Sequence, residues 1–125
     1  MPKAVANTTA HVTKDLKSVS GGYVTLRQMN YGQIVARREM MKMSITAAKG
    51  SKDFTGEMAM ASAEITRFEF QQCIVEHNLE DEDGRNLNLG SPVDFGKLDP
   101  RVGQEIEKLI SDMNKFEDME DDLGD

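Results

Sequence analysis

The chain has 125 residues, with 22 acids against 15 Lys and Arg, a net charge of −7, a single cysteine and no Trp. This length predicts one domain. The lone Cys73 excludes an internal disulfide framework, the acidic total argues against non-specific nucleic-acid binding, and no apolar run approaches the ~20 residues needed to span a bilayer. With no apolar signal core near residue 1, the expectation is a soluble protein of a reducing, intracellular compartment.

The charge is uneven. Residues 1–50 carry a net +6, residues 51–98 a net −6 and residues 99–125 a net −7. Such polarity allows either neutralisation within one molecule or attraction between copies. Nine Met residues must help to build the core. Met fills irregular gaps and is favoured on surfaces that accept variable apolar partners.

In chain order, residues 1–22 lack a sustained period and read as a flexible N-terminal arm that leaves room for a short strand. Tyr23-Val24-Thr25-Leu26-Arg27 alternates and is rich in strand formers, so one β-strand is predicted there. Asn30 then has the chemistry of a helix cap. Gln33 completes a capping box and Met29 with Ile34 the spacing of a hydrophobic staple, so a helix is predicted from Tyr31 to Ala48. Gly50-Ser51-Lys52-Asp53 breaks it. A second helix is predicted over Thr55 to His77, with Gly56 weakening its start. The Asp81-Glu82-Asp83-Gly84 run predicts a turn, whose flanks, Ile74–Leu79 and Asn86–Leu89, are able to pair unless the helix consumes the first. Gly90-Ser91-Pro92 reads as a loop. Asp99-Pro100 is the clearest helix start: an acidic N-cap, then Pro at the first helical position. Val102, Ile106, Leu109, Ile110, Met113 and Phe116 follow on one stripe. Residues 117–125 hold six acids in nine and predict a solvated, disordered tail.

At 100° per residue the first two helices each carry two apolar stripes. In the first, Ile34, Met41, Ile45 and Ala48 face one way, and Ala36, Met40, Met43 and Ala47 the other. In the second, Met58, Ala61, Ile65, Phe68 and Val75 form one stripe, and Ala59, Met60, Ala63, Phe70 and Ile74 the next. A surface helix normally has one such stripe. Either the small domain buries both, or the second faces a partner. The expectation is that Met40, Met43, Met60, Phe70 and Ile74 capture an apolar helical segment laid into a groove.

Enzyme chemistry is not expected. Asp81-x-Asp83-Gly84 resembles part of an EF-hand loop, but with Gly84 at the sixth position the first and twelfth fall on Leu79 and Gly90, which bind no calcium. His11, His77 and Cys73 are too few for a zinc site. Cys73 has His77 four residues on, near enough on a helix to be weighed as a nucleophile and base, yet a lone helical Cys is more often a small core residue. His77 at the expected helix end suits the dipole as an imidazolium. No Gly-rich phosphate loop is present. Neither a cofactor nor a metal is expected.

The segment Tyr23-Val24-Thr25-Leu26-Arg27-Gln28-Met29-Asn30-Tyr31-Gly32 resembles an opening segment of the tail assembly chaperones of long-tailed bacteriophages. So does the later block Glu76-His77-Asn78-Leu79-Glu80-Asp81-Glu82-Asp83-Gly84-Arg85, with Leu87, Leu89 and Leu98-Asp99-Pro100 before a final helix. The resemblance covers about Tyr23 to Phe116, with His77 where many members carry an aromatic. It implies a non-enzymatic protein of the bacterial host cytoplasm. Such proteins coat the phage tape-measure protein, keep it soluble while tail tube subunits assemble, and are absent from the finished virion. It further implies a longer, frameshifted form carrying tube-subunit contacts, with this chain the short form.

The fold expected is mainly α, of the α+β class: about three helices with one or two short strands. An N-terminal arm over residues 1–22, a helical domain over 23–116 and an acidic tail over 117–125 make up the expected organisation. Expected partners are the tape-measure protein, the tail tube protein and further copies of the chain, with no nucleic acid and no membrane. The alternative is a structural tail-completion or connector subunit retained in the virion. An acidic regulator that mimics DNA charge is a third reading, against which the basic first half argues.

Overall fold

The computed structural model describes residues 2–7 and 9–116. It is an α+β domain of four helices and a small antiparallel sheet: β1 (Val12–Asp15), β2 (Tyr23–Leu26), α1 (Tyr31–Lys49), α2 (Phe54–Cys73), β3 (Ile74–His77), α3 (Pro92–Lys97) and α4 (Pro100–Asn114). The expected acidic tail lies outside the described residues.

The predicted strand is β2, and it is central, flanked by β1 and β3 in the order β1-β2-β3. Val12 faces Leu26 and Asp15 faces Tyr23 across the first pair; Val24 faces His77 across the second, with an irregularity between Thr25 and Leu26. Residues 1–22 are therefore not wholly an arm. β1 and the buried Leu16 belong to the folded body. The turn from β1 to β2 is held from outside by α4. The Glu105 carboxylate accepts hydrogen bonds from Lys17 N (2.8 Å), Ser18 N (2.9 Å) and Ser18 Oγ (2.6 Å). Three donors hold that carboxyl below its ordinary range.

α1 opens with the capping box that its sequence predicts. Asn30 Oδ1 accepts from Gln33 N and Gln33 Oε1 accepts from Asn30 N, both at 2.9 Å. The helix ends at Gly50. Asp53 caps α2 through Gly56 N at 3.1 Å. The absent side chain at Gly56 matters here, because a Cβ at that position would collide with the Asp53 carboxylate.

α2 does not continue to His77. It stops at Cys73, and Ile74–His77 becomes β3. The cause is the neighbouring strand end: Arg27 N donates to Cys73 O (2.9 Å) and Arg27 Nε to Gln72 O (2.8 Å), satisfying carbonyls that a longer helix would use. β-branched Ile74 and Val75 suit the pairing with β2. The flanks of the acidic turn then meet only as a single bridge, Glu80 with Asn86, reinforced by Leu87 N donating to Leu79 O. Asp81 Oδ1 accepts from Asp83 N and Arg85 N, and Gly84 supplies the positive φ of 81°.

Gly90 and Ser91 lie in the expected loop, but Pro92 does not: it opens a short helix, α3, that the sequence reading does not include. Its Phe95 meets Phe70 edge to face, with ring centroids 5.4 Å apart. α4 is capped by Asp99, whose carboxylate accepts from Arg101 N at 2.9 Å. Its stripe behaves as predicted: Val102, Ile106 and Ile110 are buried, with Leu109 and Met113 packed at the edge. Lys115 takes the left-handed conformation (φ 55°) that ends the helix and turns Phe116 back into the core. That core joins Leu16, Val24, Leu26 and Met29 to Phe70, Cys73, Leu79, Leu87, Leu89 and the α4 stripe.

Candidate functional site

α1 and α2 form an antiparallel helical hairpin, and its two ends differ in kind. At the root, Arg37 Nε lies 3.1 Å from Glu69 Oε1 in a buried ion pair, and the guanidinium sits 3.9 Å above the centre of the Phe116 ring. Beyond this root, Ala48 is the only further fully buried residue of α1, and α2 has none before Glu69. The outer half packs one helix on the other and leaves apolar side chains in water. Met43 is 71% exposed, Met60 65%, Phe54 49% and Ile45 38%.

The two-stripe reading is correct for part of the hairpin. Ile34, Met41 and Ala48 lie on the side of α1 that is wholly or partly buried, and Met58, Ala61, Ile65 and Phe68 are the partly buried counterparts on α2. The second stripe of α1 points outward: Ala36, Met43 and Ala47 are exposed and Met40 is half-buried. The second stripe of α2 is divided along its length. Its outer residues Ala59, Met60 and Ala63 are exposed, while Phe70 is 2% exposed in the protein's own core.

The five residues expected to bind a partner therefore do not form one surface. Met43 and Met60 are exposed on the outer hairpin and Met40 borders them in sequence. Phe70 is removed from this set, because α3 and α4 cross α2 at its level and Phe95 covers it. Ile74 is removed as well: it opens β3, opposite Leu26, and packs partly buried against the core. Two further residues of the outer hairpin are exposed, Ile45 and Phe54. The sequence puts Ile45 on the stripe opposite Met43, and Phe54 just before the predicted helix start at Thr55. A bulky apolar residue directly after a Gly-Ser-Lys-Asp break, with no covering segment nearby in sequence, was the available signal for Phe54.

Cys73 is buried and desolvation pushes its thiol up to about 12, which favours the protonated thiol at neutral pH. Asn114 Nδ2 approaches Cys73 Sγ at 3.9 Å. His77 is not at a helix end. It lies in β3, and its Nδ1 accepts from Leu79 N at 3.0 Å. Desolvation lowers its pKa, which favours the neutral ring over the imidazolium expected for a helix terminus. His11 is exposed beside β1. Among the described residues no group of three or more His, Cys, Asp or Glu side chains is placed to hold a metal. Every fully buried side-chain polar atom among them has a hydrogen-bond partner.

No protein-family model, curated protein or solved structure matches this chain. The functional reading accordingly rests on the hairpin itself. Among the described residues no helix is long and apolar enough to cross a membrane. An apolar, Met-bearing surface carried on a hairpin and fixed at its root by a buried ion pair is suited to holding other apolar helices.

Proposed function

We propose that this chain is a non-enzymatic tail assembly chaperone of a long-tailed phage. In this reading the outer α1–α2 hairpin holds apolar helical stretches of the tape-measure protein in the host cytoplasm and keeps them soluble. Tail tube subunits are recruited around the complex, and the chaperone leaves before the virion is complete. The observation that carries the reading is the exposure of Met43 and Met60 on a part of the hairpin that the rest of the domain does not cover. The strand, capped helix, acidic turn and Asp-Pro helix start of the resembling segments support it further.

The test is co-expression of the full chain with the tape-measure protein. Wild type should keep that protein in the soluble fraction. A variant carrying Met43→Ser and Met60→Ser should lose it to the pellet while its own circular dichroism and melting are unchanged. If the double variant unfolds, the two Met belong to the core and the interface is wrong. If it folds and still solubilises the tape-measure protein, the hairpin is not the holding surface. Mass spectrometry of purified virions adds an independent reading, since a retained copy would make the chain a structural connector subunit instead.

A further inference from the structure

Away from the hairpin, a cleft of about 770 Å³ opens between the β1–β2 turn, the acidic turn and the junction of α3 with α4. Its apolar lining comes from Val19, Leu79, Leu87, Leu98 and Val102. Four acids line the same cleft, Glu80, Asp81, Glu82 and Asp99, against a single base, Lys97. The volume falls in the ~300–1,000 Å³ range of sites that enclose drug-sized molecules, enough for a few residues of a peptide.

The walls are fixed before anything binds. Glu105 pins the β1–β2 turn through Lys17 and Ser18. The Asn78 side chain clamps the same turn from the other side, accepting from Tyr23 N and donating to Gly21 O, each at 2.9 Å. Gly22 lets Val19 fold against the chain, since a Cβ there would stand 3.0 Å from Val19 Cβ. The backbone N–H groups of Arg85 and Asp83 hold Asp81, and the Arg101 side chain and backbone N–H hold Asp99, which keeps both carboxyls below the usual range and so negative at neutral pH. A pre-formed wall reduces the ordering cost of binding.

We infer that this cleft docks an extended segment of a second protein in which an apolar side chain is flanked by Lys or Arg. The apolar lining takes the anchor and the acidic rim selects its charge. An acidic rim matches a basic occupant, not an acidic one. This inference stands apart from the chaperone reading, because none of the cleft residues lies on the outer hairpin.

The experiment titrates the full chain with a labelled peptide of about eight residues, ~27 Å when extended, alternating Lys or Arg with Leu. Fluorescence anisotropy gives the affinity, and methyl NMR locates the contact. Binding should be at least about tenfold tighter than that of the same peptide with Leu replaced by Ser or with its bases replaced by Glu. Methyl shifts should concentrate on Leu79, Leu87, Leu98 and Val102. The exposed pair Glu80→Lys and Glu82→Lys should weaken binding about tenfold. Lys97→Glu should tighten it, an opposite sign that no loss of folding would produce. Met43→Ser with Met60→Ser should leave it unchanged, whatever becomes of tape-measure solubility. Equal binding of the Ser peptide, shifts on the hairpin, or no binding would overturn the inference. So would self-association of the chain that Glu80→Lys and Glu82→Lys abolishes, because a second copy would then fill the cleft.

Discussion

Phe70→Ala separates the core from the proposed surface more sharply than any other single change. Phe70 is fully enclosed, and its ring meets Phe95 edge to face at 5.4 Å. Truncating a core Phe costs about 3–5 kcal/mol through lost transfer energy and the cavity left behind, of which the aromatic pair accounts for roughly 0.5–1.5 kcal/mol. The site adjoins a shallow groove lined by Ala63, Leu98, Pro100 and Gly103, which gives the neighbours room to collapse. The lower part of the range, about 3–4 kcal/mol, is therefore expected. Against a total stability of about 5–15 kcal/mol this is a large fraction, and it should lower Tm by roughly 12–25 °C. Urea unfolding followed by far-UV circular dichroism measures it directly. The midpoint should fall with the slope unchanged, which marks a stability effect rather than a change in the unfolded state. Met60→Ser, on the same second stripe of α2 but exposed, should change stability by no more than about 0.5 kcal/mol. If Phe70→Ala and Met60→Ser prove equally mild, or Met60→Ser the more damaging, the division of α2 into a buried inner part and a free outer part is wrong.

Asn114→Ala should cost about 1–3 kcal/mol by the same urea assay, since it strands buried Met29 N, which Asn114 Oδ1 accepts at 2.9 Å. Glu105 has a folded pKa below its ordinary value, so its contribution to stability is present above that ordinary value and is lost as pH falls through the folded one. Melting curves taken between about pH 6 and 3 should show a shallower acid decline for Glu105→Gln than for wild type. His77 is shifted downward as a base, so the unfolded chain binds more protons in that range and stability should fall as pH drops below about 6.5. His77→Gln should remove that part of the slope, and an NMR titration of the ring should place its midpoint below the ordinary imidazole value.

What the sequence makes legible is what depends on neighbours along the chain. Asn30 with Gln33, and Asp99 with Pro100, announce their helices because caps are local chemistry, and the Val102-to-Phe116 stripe announces its face because its period is regular. The end of α2 is not local. Ile74 and Val75 suit the end of a helix stripe or a strand about equally, and Arg27, some 45 positions earlier, decides between them by taking the Gln72 and Cys73 carbonyls. β1 is hidden for a related reason: every residue of Val12–Asp15 is exposed, so no alternation marks it. The surface residues suffer from the same limit. Met60 and Phe70 share one helical stripe, and only the crossing of α3 and α4 assigns one to water and the other to the core.

The clasp at the hairpin root has a mechanical consequence. From Arg37 the helix runs on for roughly a dozen residues, ~18 Å, to its tip. The Arg37–Glu69 pair and the Phe116 ring beneath it thus act as the pivot of a lever whose long arm bears Met43 and Met60. A tilt of about 10° at that pivot sweeps the tip through ~3 Å, about the width of one side-chain contact. The aim of the outer hairpin consequently depends on side chains drawn from separate parts of the chain, Phe116 among them just beyond the last turn of α4.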